Sequence, residues 1–436
     1  MEIFFYCKLQ IACLVILLFL GFQFIREGNR FNEILGKQSC NPLFDAMFFS
    51  GEIAIFFDAI TAYTVNKLQS VPIFVNNILH LIFYISYQMF IVIHFTYWLY
   101  KVHKMPKTWK NRIKLYIPSF LSILITIFSI SKIEYRIGKY TNYSMGLGAY
   151  LIYGVVLFYF LSTIIIFLKN IRSIRNQKRT SLIVAVATAL IFLIIQSLFP
   201  EILTSSLGVT LVILSIYLGI ENPTVKTVEF YHDETILGFS TLMETKDGST
   251  GGHIRRTSAY ANLIAEKLSE KSEYQNLIDR DFINEIKIAT PMHDIGKIGI
   301  PDSILQKPGK LSEEEFEIMK SHSKIGAEII KNTFGQLEKL QYKGIAYNVA
   351  LYHHEKWNGK GYPHGLIGID IPLCARIMAV ADVFDAISAK RCYRDAMPLD
   401  TCFKIIENGK NIDFDPEIAE IFLQNRKEVE KIYNSI

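Results

Sequence analysis

The sequence predicts an all-α protein built in two parts, a polytopic helical membrane domain of about seven spans and then a helical, metal-binding domain. Three observations carry that expectation. Half of the 436 residues are apolar (50 %), with a mean hydropathy of +0.25, more than a chain folded wholly in water carries. The apolar residues gather in long runs before residue 222, and charged, helix-spaced sequence follows. Five of the ten histidines fall in the second part in the order His253, His293, His322, His353, His354, with Asp294 beside the second and Asp382 after the last.

Taken in order, the runs cover about 8–25, 43–65, 72–100, 113–131, 145–168, 180–199 and 202–220, each near the roughly 20 residues that a crossing helix needs. The last two are divided only by Phe199-Pro200-Glu201. The first run has no A-x-A-like cleavage site and further spans follow it, so it reads as a retained helix rather than a signal peptide. Positive residues set the orientation. Lys101, Lys104, Lys107, Lys110 and Arg112 fill one loop, and Lys169, Arg172, Arg175, Lys178 and Arg179 another; with seven spans both lie on the side of the C-terminus. The turn near Glu201 carries no cation and the loop with Lys67 only one, while Lys132, Arg136 and Lys139 are a mild exception. The second part is therefore expected in the cytoplasm and the N-terminus outside.

Asp45, Glu52 and Asp58 lie in the second span, and Asn77, His80, Tyr84 and Gln88 form a helical stripe in the third. Polar groups at that depth are costly and turn into the bundle. A pocket or ion site that senses a signal accounts for them, and so do interhelical hydrogen bonds. The net charge is only +5 and its cations sit in short loops, so no DNA or RNA partner is expected. The six cysteines show no CxxC and no regular spacing, which supports neither a disulfide framework nor a thiolate metal site.

The expected boundaries are a membrane domain over 1–222, a helical connector over 223–243 and a metal domain over 244–436. Apolar spacing predicts a helix over 253–268 with His253 at its start, and another over 281–294. Ser312-Glu313-Glu314-Glu315 reads as a capping box before a helix through Lys331, with His322 inside it. A helix over 345–354 ends on His353-His354, and Pro372 fits the first turn of the helix carrying Asp382 and Asp385. Imidazole and carboxylate suit divalent Mn, Fe or Zn, and one carboxylate offers an oxygen to each of two ions, which makes Asp294 the natural bridge. Lys297 follows within a turn, where its cation would meet a phosphoryl oxygen. Tyr362 sits in a glycine-flanked loop, positioned for a substrate groove or a partner surface.

His293-Asp294-Ile295-Gly296-Lys297, then Ile300-Pro301-Asp302 through Lys310-Leu311, His353-His354-Glu355 before Trp357, Gly361-Tyr362-Pro363, and Ala381-Asp382-Val383-Phe384-Asp385 together resemble the HD-GYP phosphodiesterases, a branch of the HD hydrolase superfamily. The likeness runs from about Glu244 to Phe422. It implies a cytoplasmic all-α HD-type hydrolase domain that cleaves cyclic di-GMP to linear pGpG and often on to GMP. It also implies two divalent ions, Fe or Mn, one drawing on His253, His293 and Asp382 and the other on His322, His353 and His354. Arg391 and Arg394 resemble the family's guanine- and phosphate-gripping cations. Ser249 stands where some members carry a glutamate for a third ion, so two ions are expected; Asn358, Cys392 and Arg394 also depart from the usual residues.

The expected function is thus a multi-pass enzyme of the bacterial cytoplasmic membrane, regulated by a signal reaching its membrane domain. The alternatives are a phosphodiesterase for another cyclic dinucleotide such as cyclic GMP-AMP, and a catalytically silent receptor that docks partners at Gly361-Tyr362-Pro363. A homodimer through the connector is a further expectation.

Overall fold

The computed structural model describes residues 6–35, 41–102, 104–106, 108–139, 141–169, 176–246, 252–334, 342–389 and 396–435. Nearly all of that backbone is helical, and the chain divides into two compact units, Met1–Val228 and Glu229–Ile436.

In the first unit the helices are α1 (Lys8–Leu35), α2 (Pro42–Val65), α3 (Ile73–Lys101) and α4 (Trp109–Phe128). A small antiparallel hairpin follows, β1 (Glu134–Arg136) against β2 (Tyr143–Met145), then α5 (Leu147–Lys169), α6 (Asn176–Leu198) and α7 (Ser205–Ile216). A π-turn over Tyr217–Glu221 leads into α8 (Pro223–Lys246), within which the division between the units falls. Asn41 starts α2 by accepting the Leu43 N–H at 2.9 Å, and Pro42 occupies the first turn, where a missing N–H costs nothing. α1 continues well past residue 25, because Gln23, Arg26 and Glu27 are good helix formers and no proline follows them before its end.

Among the described residues six helical stretches are long and apolar enough to cross a membrane: Lys8–Glu33, Ile73–Lys101, Trp109–Phe128, Leu147–Lys169, Thr180–Leu198 and Ser205–Lys246. The count is six rather than seven because α2, the expected second span, carries Asp45, Glu52 and Asp58 and falls outside that set. The outer surface of the unit is apolar: Phe19, Phe22, Phe74, Phe120 and Phe128 are all exposed. Its polar groups turn in. Asp58 accepts from the Ser205 and Ser206 hydroxyls at 3.1 and 2.5 Å, Thr64 donates to Asn76 at 2.6 Å, and Gln88 joins Ser119 and Ser122. Glu221, fully buried, meets Tyr97 at 2.8 Å, Lys101 at 2.5 Å and Lys226 at 2.6 Å, so its charge is compensated where the apolar run ends.

In the second unit α9 (His253–Ser269) and α10 (Arg280–Ala289) come first. The helix expected over 281–294 stops at Ala289, since Pro291 has no N–H to continue the ladder; two short 3₁₀ segments, Thr290–Met292 and Ile295–Gly299, carry the chain around the His293-Asp294 pair. The capping box forms before α11 (Glu313–Phe334). The Glu315 N–H donates to Ser312 Oγ at 3.3 Å, and the Ser312 N–H donates back to the Glu315 carboxylate at 2.7 Å. α12 (Tyr342–Tyr352) ends one residue before His353-His354, which lie in a turn rather than on the helix. α13 (Leu373–Ser388) starts directly after Pro372, and α14 (Leu399–Asn408), α15 (Pro416–Gln424) and α16 (Arg426–Ser435) close the unit.

These helices share one core of α9, α10, α13, α14 and α15 side chains, centred on Tyr260, Phe384, Phe403 and Phe422. The rings meet edge to face or tilted, at 4.9 Å for Phe384–Phe422 and 5.4 Å for Tyr260–Phe384. Truncating Phe422, remote from the histidines in sequence, leaves a void among them. Phe422→Ala is expected to cost the second unit about 3–5 kcal/mol, read as an earlier midpoint in chemical denaturation followed by hydrogen exchange of α9 and α13; unchanged protection there would refute this packing.

Candidate metal centre

The centre lies where α9, the 3₁₀ segments, α11, the turn after α12 and α13 converge. Two groups of donors could each hold an ion: His253, His293 and Asp294, and Asp294, His322, His353 and His354, with donor atoms in each group within 4.8 Å of one another. Asp294 is their common member. Its Oδ2 lies 3.2 Å from His293 Nε2, and its Oδ1 lies 3.4 Å from His322 Nε2 and 3.7 Å from His353 Nε2. Asp382 faces the first group, 3.5 Å from His253 Nε2 and 3.9 Å from His293 Nε2. Lys297 Nζ reaches Asp294 Oδ2 at 2.7 Å.

Each ring is aimed by its other nitrogen. His293 Nδ1 donates to the Thr290 carbonyl at 2.9 Å, His322 Nδ1 to Met319 at 2.7 Å and His353 Nδ1 to Val349 at 2.8 Å. His253 Nδ1 lies 2.8 Å from the Asp385 carboxylate. A proton fixed on Nδ1 leaves the Nε2 lone pair pointing inward, the tautomer that a cation requires. Among the described residues the inner atoms His293 Nε2, His322 Nε2, His353 Nε2 and Asp294 Oδ1 are buried and make no hydrogen bond. Buried polar atoms left unpaired cost about 1–3 kcal/mol each. A cluster of them converging on one point fits a divalent cation.

The electrostatics of these groups agree. Burial would lower the His293 imidazole, but the Asp294 and Asp382 carboxylates outweigh it and lift it to about 9. Burial would raise Asp294, yet Lys297 and His293 hold it well below the carboxylate range. Burial lowers His322 to about 4 and pushes His354 well below the usual imidazole value, so both present neutral rings. Lys297 and a protonated His293 thus stand where a divalent cation would otherwise balance the Asp294 carboxylate.

Glycine lets the segments approach this closely. A Cβ at Gly296 would collide with the His322 carbonyl and the Gly326 amide, so α11 rests directly on the backbone after Asp294. Tyr362 stacks on His354 with ring centroids 4.7 Å apart and lies under the Lys320 ammonium. Its loop is gripped by Glu355, a buried carboxylate that accepts the N–H groups of His364, Gly365 and Leu366 at 2.8, 3.1 and 3.0 Å. Arg391, Arg394, Cys392 and Ser249 lie outside the described residues.

Three residues take roles that the sequence did not give them. Arg256, one turn along α9 from His253, donates to Asp385 at 2.6 and 3.1 Å and so steadies the carboxylate that aims His253. Glu355 was visible only as a phrase residue. Glu244 on α8 accepts the His253 N–H at 2.8 Å and ties down the start of α9. Spacing of three or four residues hinted at the first; loop closure hid the other two. Removing an outer carboxylate commonly weakens metal affinity about 10–100-fold. Asp385→Asn is accordingly expected to lower Mn affinity by that factor while Asp370→Asn, exposed and remote in sequence, leaves it unchanged, as measured by equilibrium metal titration.

Comparison with known proteins agrees with this geometry. Residues 239–418 match the HD domain family. A cyclic di-GMP phosphodiesterase of Vibrio cholerae is 43 % identical over 200 residues, 46 % of this chain and 41 % of that protein. A cyclic di-GMP phosphodiesterase of Thermotoga maritima is 41 % identical over 192 residues, 44 % of this chain and 49 % of that protein. A 3'3'-cGAMP-specific phosphodiesterase of Vibrio cholerae is 36 % identical over 192 residues, covering 44 % of this chain and 34 % of that protein. The chain therefore spans less than half the length of each of these relatives. The matched residues, the His-Asp cluster and the Gly-Tyr-Pro loop agree with one another, and residues 239–418 of this chain are similar to the HD domain family.

Proposed function

We propose that this protein is a membrane-anchored, metal-dependent phosphodiesterase that hydrolyses cyclic di-GMP to linear pGpG and onward to GMP. The observation that carries the reading is the pair of donor groups sharing Asp294, each with buried inward atoms that make no hydrogen bond among the described residues. His253, His293, Asp294 and Asp382 would hold one divalent ion, and His322, His353, His354 and Asp294 the other; Fe and Mn both suit this nitrogen and oxygen set. Such ions, when bound, lower the pKa of water and neutralise charge on both oxygens of an in-line displacement.

The chain's own residues do the rest. Lys297 places an ammonium beside Asp294, where it donates to a non-bridging phosphoryl oxygen as negative charge grows there. The Nδ1 hydrogen bonds hold the imidazoles rigid, so no reorganisation is needed as the P–O3′ bond breaks. Tyr362 walls one side with an apolar ring, and Arg391 and Arg394 would grip guanine and phosphate. The 3′ oxygen leaves with a proton, giving the linear dinucleotide.

A second substrate reading is favoured by the relatives named for 3'3'-cGAMP, whose similarity to this chain is of the same order. For the membrane part, the six apolar helices together with α2 support a reading of seven crossings, and the cation-rich loops after α3 and α5 support a cytoplasmic side for the HD domain. Residues 1–222 would then receive a signal and residues 223–243 would connect it to the HD domain over 244–436. A homodimer, and a partner docked at the Gly361-Tyr362-Pro363 loop, complete the reading.

The test is turnover by the full-length protein, purified in detergent without oxygen and loaded with Mn or Fe. Cyclic di-GMP should yield pGpG and GMP, chelation should abolish the reaction, and Asp294→Ala should lose both activity and bound metal. Retained metal-dependent turnover in Asp294→Ala would overturn the mechanism. Lys297→Met should keep its metal and lose about 10²–10³-fold in kcat. Faster hydrolysis of 3'3'-cGAMP than of cyclic di-GMP would move the assignment to the second substrate.

A further inference from the structure

The first unit encloses a cavity of about 130 Å³ among α2, α3, α5, α6 and α7. A single water needs only about 10–15 Å³ of such space, so this is room for an organic molecule. Its walls are aromatic, with Tyr84, Tyr87, Phe90, Tyr153, Tyr159 and Phe192 among them. Among the described residues the lining contains one carboxylate, Asp58, and no lysine or arginine. Asp58 is almost fully buried, and its described partners, the Ser205 and Ser206 hydroxyls and the Gln10 amide, carry no charge.

The histidines of the wall are not cations either. His80 Nδ1 lies 2.9 Å from the Asn76 carbonyl and must donate to it, which leaves Nε2 as an acceptor. His94 Nε2 accepts the Trp98 indole N–H at 2.9 Å and therefore bears no proton there. A lone anionic or proton-sharing group, acceptor nitrogens and many ring faces form the complement of a positively charged or strongly donating guest. Ring faces attract cations when water is excluded, and a carboxylate adds a directional partner. An anionic guest would meet the Asp58 carboxylate with no cation among the described lining residues to offset it, and a purely apolar one would add no charged partner to the neutral groups that Asp58 already has.

The geometry points to this cavity as a binding site for a small organic amine or quaternary ammonium, held by Asp58 and the surrounding aromatic rings. This assignment rests on the reading of residues 1–222 as the membrane sensor and supplies the class of signal. The wall reaches Asn142, Ser144, Pro200 and Leu203, where the Thr141 hydroxyl donates to the Glu201 carbonyl at 2.7 Å. That end carries the cation-poor turn near Glu201, the side assigned to the outside, so the guest would enter from there.

The experiment uses the full-length protein in phospholipid nanodiscs. Binding of tetramethylammonium and of 2-phenylethylamine is measured by calorimetry beside 2-phenylethanol and phenylacetate, and cyclic di-GMP turnover is followed in parallel. At least one of the two cations should bind about tenfold more tightly than the neutral and anionic probes. Asp58→Asn should remove that preference. Should Asp58→Asn fail to fold, Tyr87→Leu should weaken cation binding while Tyr87→Phe retains it. Equal binding of all probes, binding by neither cation, or a preference unaffected in both Asp58→Asn and Tyr87→Leu overturns the assignment. Turnover separates the two readings: normal hydrolysis with no cation binding removes the site and leaves the enzyme, whereas cation binding without any hydrolysis keeps the site and removes the enzyme.

Discussion

The second unit is organised around one electrostatic demand, a buried carboxylate at Asp294 that must be surrounded by groups able to share cations with it. Everything nearby follows from meeting that demand without letting the imidazoles rotate. Backbone carbonyls at Thr290, Met319 and Val349 take the outer protons of three rings, and Asp385 takes that of a fourth. Thr290 lies in a 3₁₀ segment and Val349 in the last turn of α12, and each carbonyl also accepts the backbone N–H of the histidine it aims, while Met319 lies inside α11. The helix breaks at Ala289 and Tyr352 are part of the site for His293 and for His353.

The first unit meets the opposite solvent condition by the same rule that polar groups must be paired. Its outward phenylalanines need nothing from water, and its interior carries Asp58, Asn76, Gln88 and Glu221, each answered by a hydroxyl, an amide or a lysine. Glu221 shows how the transition is handled. The chain leaves its apolar stretch through a π-turn whose last residue is clamped by two lysines and a tyrosine, so the polar end of the bundle is fixed at one residue rather than spread along α8.

Much of this was legible in sequence because periodicity and ligand chemistry are local signals. The helices around residues 253–269, 313–334 and 373–388 carry clear apolar spacing and recognisable starts, and their side chains face the expected core. The donor residues were legible as types, since imidazole and carboxylate recur in an order that ordinary surface sequence does not show. What sequence concealed is what depends on closure in space. Pro291 was read through, though its missing N–H ends the helix. Arg256, Glu355 and Glu244 act on groups up to 129 residues away or on backbone N–H groups, which no spacing rule registers.

Glu355 has a wider consequence. It holds the segment after Pro363 solely through main-chain N–H groups, three of them converging on two oxygens. A segment anchored by its backbone asks little of an exposed side chain such as Ile367, while Gly365 and Gly368 keep a positive φ and His364 meets the Tyr352 ring. Ile367 can thus change without displacing Tyr362 from His354. The rim beside the centre can acquire new chemistry at its outward face while its inward ring stays fixed, so related proteins can diversify in what they recognise without rebuilding what they do.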